Sequence, residues 1–303
     1  MALKDWFWLI FLSVIWGSSF MFLKTALIEL PPYFIVLFRL SIASAFLLSV
    51  CRLRGLEFPV SARAWFSLGF LGIINTAAPF LAITWAQQYI DTATASILNA
   101  TSPIFVMILA QFFTDDEKLS VNKIFGVLSG LAGITVMVAP GLVNKFELVN
   151  LGPFGVLCGT FMYAAAGIYA KRFRLLPSTM VSAVSLLGGL VFMLPGLLFV
   201  EFPAFATLHL KTWLSVIFLG MICTGTAYLI YFRLIASSGA TNALLVTLLI
   251  PVSAFIFSVT IMNETIRNND VYGMLLIGAG LLIIDGRLIR FPGVRRLWFP
   301  PKT

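Results

Sequence analysis

Ten apolar segments of roughly bilayer-spanning length succeed one another along the chain, at 6–24, 32–51, 65–87, 92–113, 122–139, 151–171, 178–200, 212–234, 240–262 and 269–286. A crossing takes about 20 apolar residues. In hydrocarbon every backbone N–H and C=O must be paired within the protein, which leaves helices or a closed barrel. The length of these segments and their lack of strict alternation select helices. Breakers fall between them at Pro31-Pro32, Pro140-Gly141, Pro177-Ser178 and Ser237-Ser238-Gly239. Sixty per cent of the residues are hydrophobic and 11% charged, with a mean hydropathy of +1.01. A soluble domain carries about 25% charged residues. Ten crossings consume nearly all 303 residues, so no separate soluble domain is expected. Lys4 followed by 6–21 could pass for a signal peptide, but 16–24 has a counterpart in the second half and is read as an uncleaved first span.

That counterpart belongs to an internal repeat. Ser67-Leu-Gly-Phe-Leu-Gly-Ile-Ile-Asn-Thr76 returns as Ser215-Val-Ile-Phe-Leu-Gly-Met-Ile-Cys-Thr224, 148 residues later. Pro103 and Pro251 share that offset. Glu117, Gly126 and Gly133 return as Glu264, Gly273 and Gly280 at 147. The halves are therefore drawn at 1–146 and 147–303, five segments each.

The net charge of +8 comes from topology rather than from nucleic-acid binding, because the cations sit in short runs beside apolar segments. With the N-terminus inside, fifteen of the twenty Lys and Arg lie on the inner side. Lys24, Lys145, Lys211 and Arg267 lie outside, and Arg39 is within a span. Both termini are thus expected in the cytoplasm. Five spans per half, an odd number, make the second half enter from the opposite face, giving inverted repeats suited to alternating access. After the last span, 290–299 mixes cations with aromatics, as either a headgroup-level anchor or a disordered tail.

Helical spacing selects cavity candidates. Thr92, Ser96, Asn99 and Pro103 form one polar stripe in the fourth segment. Asn75, Pro79, Ala82 and Ala86 repeat that spacing in the third, with Thr76 and Trp85 beside it. Trp16 matches Tyr163 and Lys24 matches Lys171 at an offset of 147, while Thr224, Tyr228 and Tyr231 align in the eighth segment. Such stripes also serve close helix packing. Amides and large amphipathic rings fit that role less well, and Trp and Tyr on a cavity wall would favour amphipathic solutes. Pro103 and Pro251 are hinges or tolerated kinks. Arg39, the one cation well inside a segment, could snorkel, bond carbonyls or meet a substrate carboxylate. Glu117 and Glu264, at segment ends, suit helix-start or loop-fixing roles.

At these residues the chain resembles the drug/metabolite transporter superfamily, specifically its bacterial ten-helix branch of two EamA-type repeats. The matching features are Trp16-Gly-Ser-Ser-Phe20, Arg39, Pro103, and the Glu117/Gly126 and Glu264/Gly273 pattern. The resemblance implies a bacterial inner-membrane transporter of small organic solutes, often amino acids or metabolites leaving the cell, with a central cavity between the halves. It leaves the solute unnamed.

No Asp, Glu or His occupies a segment interior, and His209 falls in a loop. Proton-driven carriers need an embedded group that titrates, so facilitated transport or exchange is expected. A membrane-embedded enzyme would need clustered His or acids, or a Ser/His or Ser/Lys pair at depth, and ATP drive a phosphate-cradling loop with Lys. Neither pattern is present. Cys51, Cys158 and Cys223 lack metal or disulfide spacing. The expected partners are a small-molecule solute and the lipid bilayer, with no cofactor, no metal and no nucleic acid, in a monomer or weak homo-oligomer. The remaining rival, a non-transporting structural membrane protein, would have a core closed by side chains.

Overall fold

The computed structural model describes residues 2–58, 61–113, 121–143, 151–239, 243 and 245–285. Glu117, Lys145 and the aromatic-basic tail at 290–299 lie outside them. The described residues form helices: α1 (Leu3–Ala26), α2 (Pro32–Leu53), α3 (Ala62–Gly72), α4 (Ala78–Ala86), α5 (Thr92–Asn99), α6 (Ser102–Phe113), α7 (Val121–Val143), α8 (Gly152–Ala170), α9 (Ser178–Met193), α10 (Leu210–Gly220), α11 (Ala227–Ser238), α12 (Val246–Thr260) and α13 (Asn268–Asp285). Among the described residues, seven helical stretches are long and apolar enough to cross a membrane, including the composite ones at Ala62–Ala86, Thr92–Phe113 and Leu210–Ser238.

The breakers act as their chemistry dictates. Pro31 and Pro32 occupy the cap and first turn of α2, where a missing N–H costs nothing. Gly239, at φ +85, closes α11 in a backbone region that L side chains avoid. Pro140-Gly141 departs from expectation, because α7 runs on to Val143. The fourth segment departs too, since a turn at 100–101 separates α5 from α6 and Pro103 lies directly after it. Pro251 sits inside an unbroken α12.

The repeated sequence folds into a repeated irregularity. α3 and α4 are joined by a π-helical segment, Ile73–Ala77, and α10 and α11 by Met221–Thr226, at the same 148-residue offset. Glycines set the packing around both. A Cβ on Gly72 would lie 1.8 Å from the Ser185 carbonyl oxygen, and one on Gly220 would lie 3.1 Å from the Arg39 carbonyl oxygen. Hence α9 crosses the first π-interrupted span and α2 crosses the second.

The glycines marked by the repeat form a seam between α7 and α13. A Cβ on Gly133 would meet the Gly273 carbonyl at 2.8 Å, and one on Gly280 would meet the Gly126 carbonyl at 2.5 Å. Ser129 Oγ donates to the Leu276 carbonyl at 2.9 Å. The register runs backwards, 126 to 280 and 133 to 273, so the two helices are antiparallel while 126 corresponds to 273 and 133 to 280.

Helix ends are tied together on one face. Lys24 Nζ donates to the Gln87 and Ile90 carbonyls, both at 2.8 Å, joining the ends of α1 and α4. Glu264, between α12 and α13, accepts from the Thr92 N–H and hydroxyl, both at 2.9 Å, and from the Ser258 hydroxyl. It therefore caps α5 from the other half of the chain, the helix-start role its position suggested. Asp91 lies beside this cap, and burial, reinforced by Glu264, pushes its carboxyl up. Glu29 does the converse, reaching from the first half to the start of α10, where it takes the His209 N–H, His209 Nδ1 and the Thr212 hydroxyl.

The Thr212 and His209 bonds hold Glu29 down to about 2, and Glu29 in turn raises His209. The two groups give opposite pH dependences. A raised histidine stabilises fully below its ordinary value of 6.5 and loses that contribution as pH climbs through the raised one. The lowered carboxyl contributes above 4.5 and fades as pH falls toward about 2. Thermal unfolding from pH 6 to 9 is thus expected to show a small fall in midpoint, small because the pair is solvent-screened. His209→Ala should flatten that slope, and an unchanged slope would remove the pair from the account.

Candidate functional site

Where the two π-interrupted spans meet α1, α2, α5, α8 and α12, they enclose a cavity of about 360 Å³, in the lower range of small-molecule sites. Seven of the ten residues expected to bind substrate line it: Trp16, Arg39, Asn75, Asn99, Tyr163, Thr224 and Tyr228. They come from both halves of the chain.

The π segments contribute directly. A π turn offsets the side-chain phase of the helix beyond it and is frequent at functional sites. Here it carries Asn75 on one span and Cys223 with Thr224 on the other, and Asn75 and Cys223 are repeat counterparts. The irregular turn also leaves the Cys223 carbonyl accessible to Trp16 Nε1, at 3.1 Å. This bond holds the indole across the cavity, where its ring lies 5.4 Å from that of Tyr231. The Asn75 amide faces the Tyr228 hydroxyl.

Arg39 is 8% exposed and carries the site's only formal charge, because the described lining contains no Asp, Glu, His or Lys. Its Nε donates to Thr224 Oγ1 at 2.8 Å, and its guanidinium carbon stands 3.9 Å from the centre of the Phe80 ring. Among the described residues no carboxylate is within ion-pair distance. A guanidinium has five N–H donors, and only the one on Nε has a protein acceptor there. Snorkelling to a headgroup and bonding to helix carbonyls, the two bland roles open to it in the sequence, are not what this geometry shows.

Two residues of the lining carry an amide oxygen sealed from the cavity and without a donor. Asn99 Oδ1 and Gln87 Oε1 are both buried and unbonded among the described residues. Gln87 Nε2 donates to the Phe20 carbonyl at 3.2 Å, which fixes the orientation of its amide. Aromatic walls come from Trp16, Phe80, Tyr163 and Tyr231.

Three expected residues lie elsewhere. Thr76 is fully buried, donates to the Gly72 carbonyl at 2.6 Å and packs on Gly189 of α9. Trp85 lies against Tyr89 and over Gly155 of α8. Ser96, also fully buried, returns its hydroxyl to the Ala93 carbonyl at 2.7 Å. A stripe drawn at 3.6 residues per turn cannot track the π segment that holds Thr76 and precedes Trp85, and a hydroxyl such as that of Ser96, bonded to its own helix, looks in sequence like one that faces a cavity. Pro103 and Pro251 do not line the cavity either. Gln87, Phe80, Ser19 and Cys223 were missed. The 148-residue offset from Asn75 was a usable signal for Cys223, whereas nothing local marked Gln87.

Fold and cavity together define a helical multi-pass membrane protein with a chamber between segments of its two halves, mainly apolar in surface and holding one cation. Comparison with known proteins places it more closely. The EamA-like transporter family profile matches twice, over residues 4–139 and 150–285, and the chain belongs to that family. It is a transporter, as the family is. Similar proteins include the uncharacterized transporter YoaV of Bacillus subtilis, 24% identical over 91% of this chain and 94% of its own. The uncharacterized inner membrane transporter YedA of Escherichia coli is 24% identical over 94% of each. A solved crystal structure, 17% identical, superposes with a TM-score of 0.66 over 96% of this chain and all of its own, which is a likeness of fold.

Proposed function

We propose that this protein carries small organic solutes, amino acids or related amphipathic metabolites, out of the cell across the bacterial inner membrane. The observation that carries the reading is the cavity: about 360 Å³ between the halves, with one guanidinium that has no counterion among the described residues, and with aromatic walls. A core closed by side chains, as in a structural membrane protein, would leave no such space.

Ten transmembrane helices in two inverted five-helix repeats, 1–146 and 147–303, form the scaffold of this reading. The antiparallel register of α7 against α13, at positions that correspond in the repeat, supports the inversion. The shared π segments support the equivalence of the halves. Treating α5 and α6 as one crossing, and α7, α12 and α13 as one each, gives ten. The Lys and Arg bias puts both termini in the cytoplasm. Ties at one face and a cavity at the centre suit alternating access, and the absence of a titratable acid or imidazole among the described lining residues favours facilitated transport or exchange over proton antiport.

The test is a thermal-shift screen of purified full-length protein against amino acids, nucleosides and common metabolites. A binding solute is expected to raise the midpoint by several degrees. Asn99→Leu should cut that rise at least in half while leaving the unliganded midpoint within a degree or two, since its Oδ1 has no donor to lose, and Tyr228→Phe should do the same at a cost of about 1 kcal/mol for the bond with Asn75. Binding undiminished in both variants would place the solute elsewhere.

A further inference from the structure

We infer that the preferred solute is a monoanion, an amphipathic carboxylate, and that its movement carries net charge across the membrane. This rests on the cavity being the solute site and goes on to fix the solute's charge.

Charge balance at the cavity decides it. Arg39 stays protonated at any working pH, and among the described residues its charge is met only by a ring face and a hydroxyl. A buried cation without a counterion is costly, and a bidentate carboxylate on the free edge of the guanidinium removes that cost. With a monoanion bound the cavity is neutral. An amino acid zwitterion would bring an ammonium as well and return the total to one positive charge. Its ammonium would find no carboxylate among the described lining residues. An amine would double the charge. Trp16, Phe80 and Tyr163 instead cover the apolar part of a solute whose carboxylate meets Arg39.

The transport consequence comes from the same inventory. No described lining group can take up a proton to offset the charge of the solute, so each anion released by facilitated transport, without exchange for another, moves one negative charge. An inside-negative potential then drives export, by about fifty-fold in the equilibrium concentration ratio per 100 mV.

Three ring-matched probes test this: N-acetylphenylalanine (anion), phenylalanine (zwitterion) and phenethylamine (cation), with full-length protein in liposomes and a potassium gradient clamped by valinomycin. The anion is expected to raise the thermal midpoint most. Its steady distribution should shift about fifty-fold per 100 mV relative to protein-free vesicles. Arg39→Gln should abolish the response to the anion, and Arg39→Lys, which keeps the charge, should retain the voltage dependence with weaker binding. Phenylalanine or phenethylamine bound as tightly as the anion, or a distribution indifferent to voltage, would overturn the charge inference and leave the transport reading standing. No binding or movement of any of the three would overturn both. The wild-type voltage measurement decides even where an Arg39 variant fails to fold.

Discussion

Gly72→Val is expected to leave no folded protein, and Gly72→Ala to unfold at a midpoint lower by about five degrees, at a cost of about 3 kcal/mol. The first Cβ atom alone would stand 1.8 Å from the Ser185 oxygen, 2.7 Å from its carbonyl carbon and 2.8 Å from the Gly189 nitrogen. All three are backbone, so no rotamer change relieves the overlap. The helix α9 would have to move bodily, and with it the packing of Thr76 on Gly189. Gly278→Ala is the matched control, because a Cβ there meets nothing within 4 Å. Alanine is the better helix former by about 1 kcal/mol, so that variant should melt at or slightly above the parent. Monodispersity in detergent after graded heating reads both. A Gly72→Ala protein that melts like the parent would mean that α9 does not cross where the structure puts it.

Gly72 also shows what was legible beforehand. The repeat exposed it, since Gly72 and Gly220 occupy the same place in Ser67–Thr76 and Ser215–Thr224. Gly126 and Gly133, with Gly273 and Gly280, were visible in the same way. Composition and segment length sufficed for a helical membrane protein, because solvation leaves a chain this apolar few alternatives. What the residues do was less accessible. The glycine pairs looked like markers and turned out to be a seam, which depends on two helices distant in sequence. Trp16, Arg39 and Asn99 could be found because large or charged polar groups are expensive in hydrocarbon wherever they fall. Thr76 and Ser96 could not be sorted from Thr224, since a small hydroxyl can satisfy itself on its own helix, as both do. The phase of each stripe depended on π segments and a helix break that no residue pattern announced.

Glu264→Ala is expected to cost about 3 kcal/mol and to open the tied face. The carboxylate receives the Thr92 N–H, the Thr92 hydroxyl and the Ser258 hydroxyl, and Thr92 and Ser258 are both fully buried. Bonds to a charged acceptor contribute about 1.5–3 kcal/mol, and buried donors left without one add a penalty of similar size. Alanine removes the acceptor and strands the donors. Glutamine keeps one oxygen and the shape, so Glu264→Gln should lose about 1 kcal/mol. Thr92→Ala retains the backbone bond and should fall near the glutamine variant, and a double-mutant cycle with Glu264→Ala should show coupling of about 1 kcal/mol or more. The tie joins the second half of the chain to the start of α5, whose last residue, Asn99, lines the cavity. Loosening it should therefore change access as well as stability. In a cysteine-free background, Leu23→Cys sits on the cavity wall one residue from Lys24, near the tied face. Its labelling by a membrane-impermeant thiol reagent is expected to quicken several-fold when Glu264→Ala is added. Lower stability with unchanged labelling would make Glu264 a helix cap and nothing more. Unchanged stability would mean that water satisfies Thr92 and Ser258, and that this face is held by Lys24 and Glu29 instead.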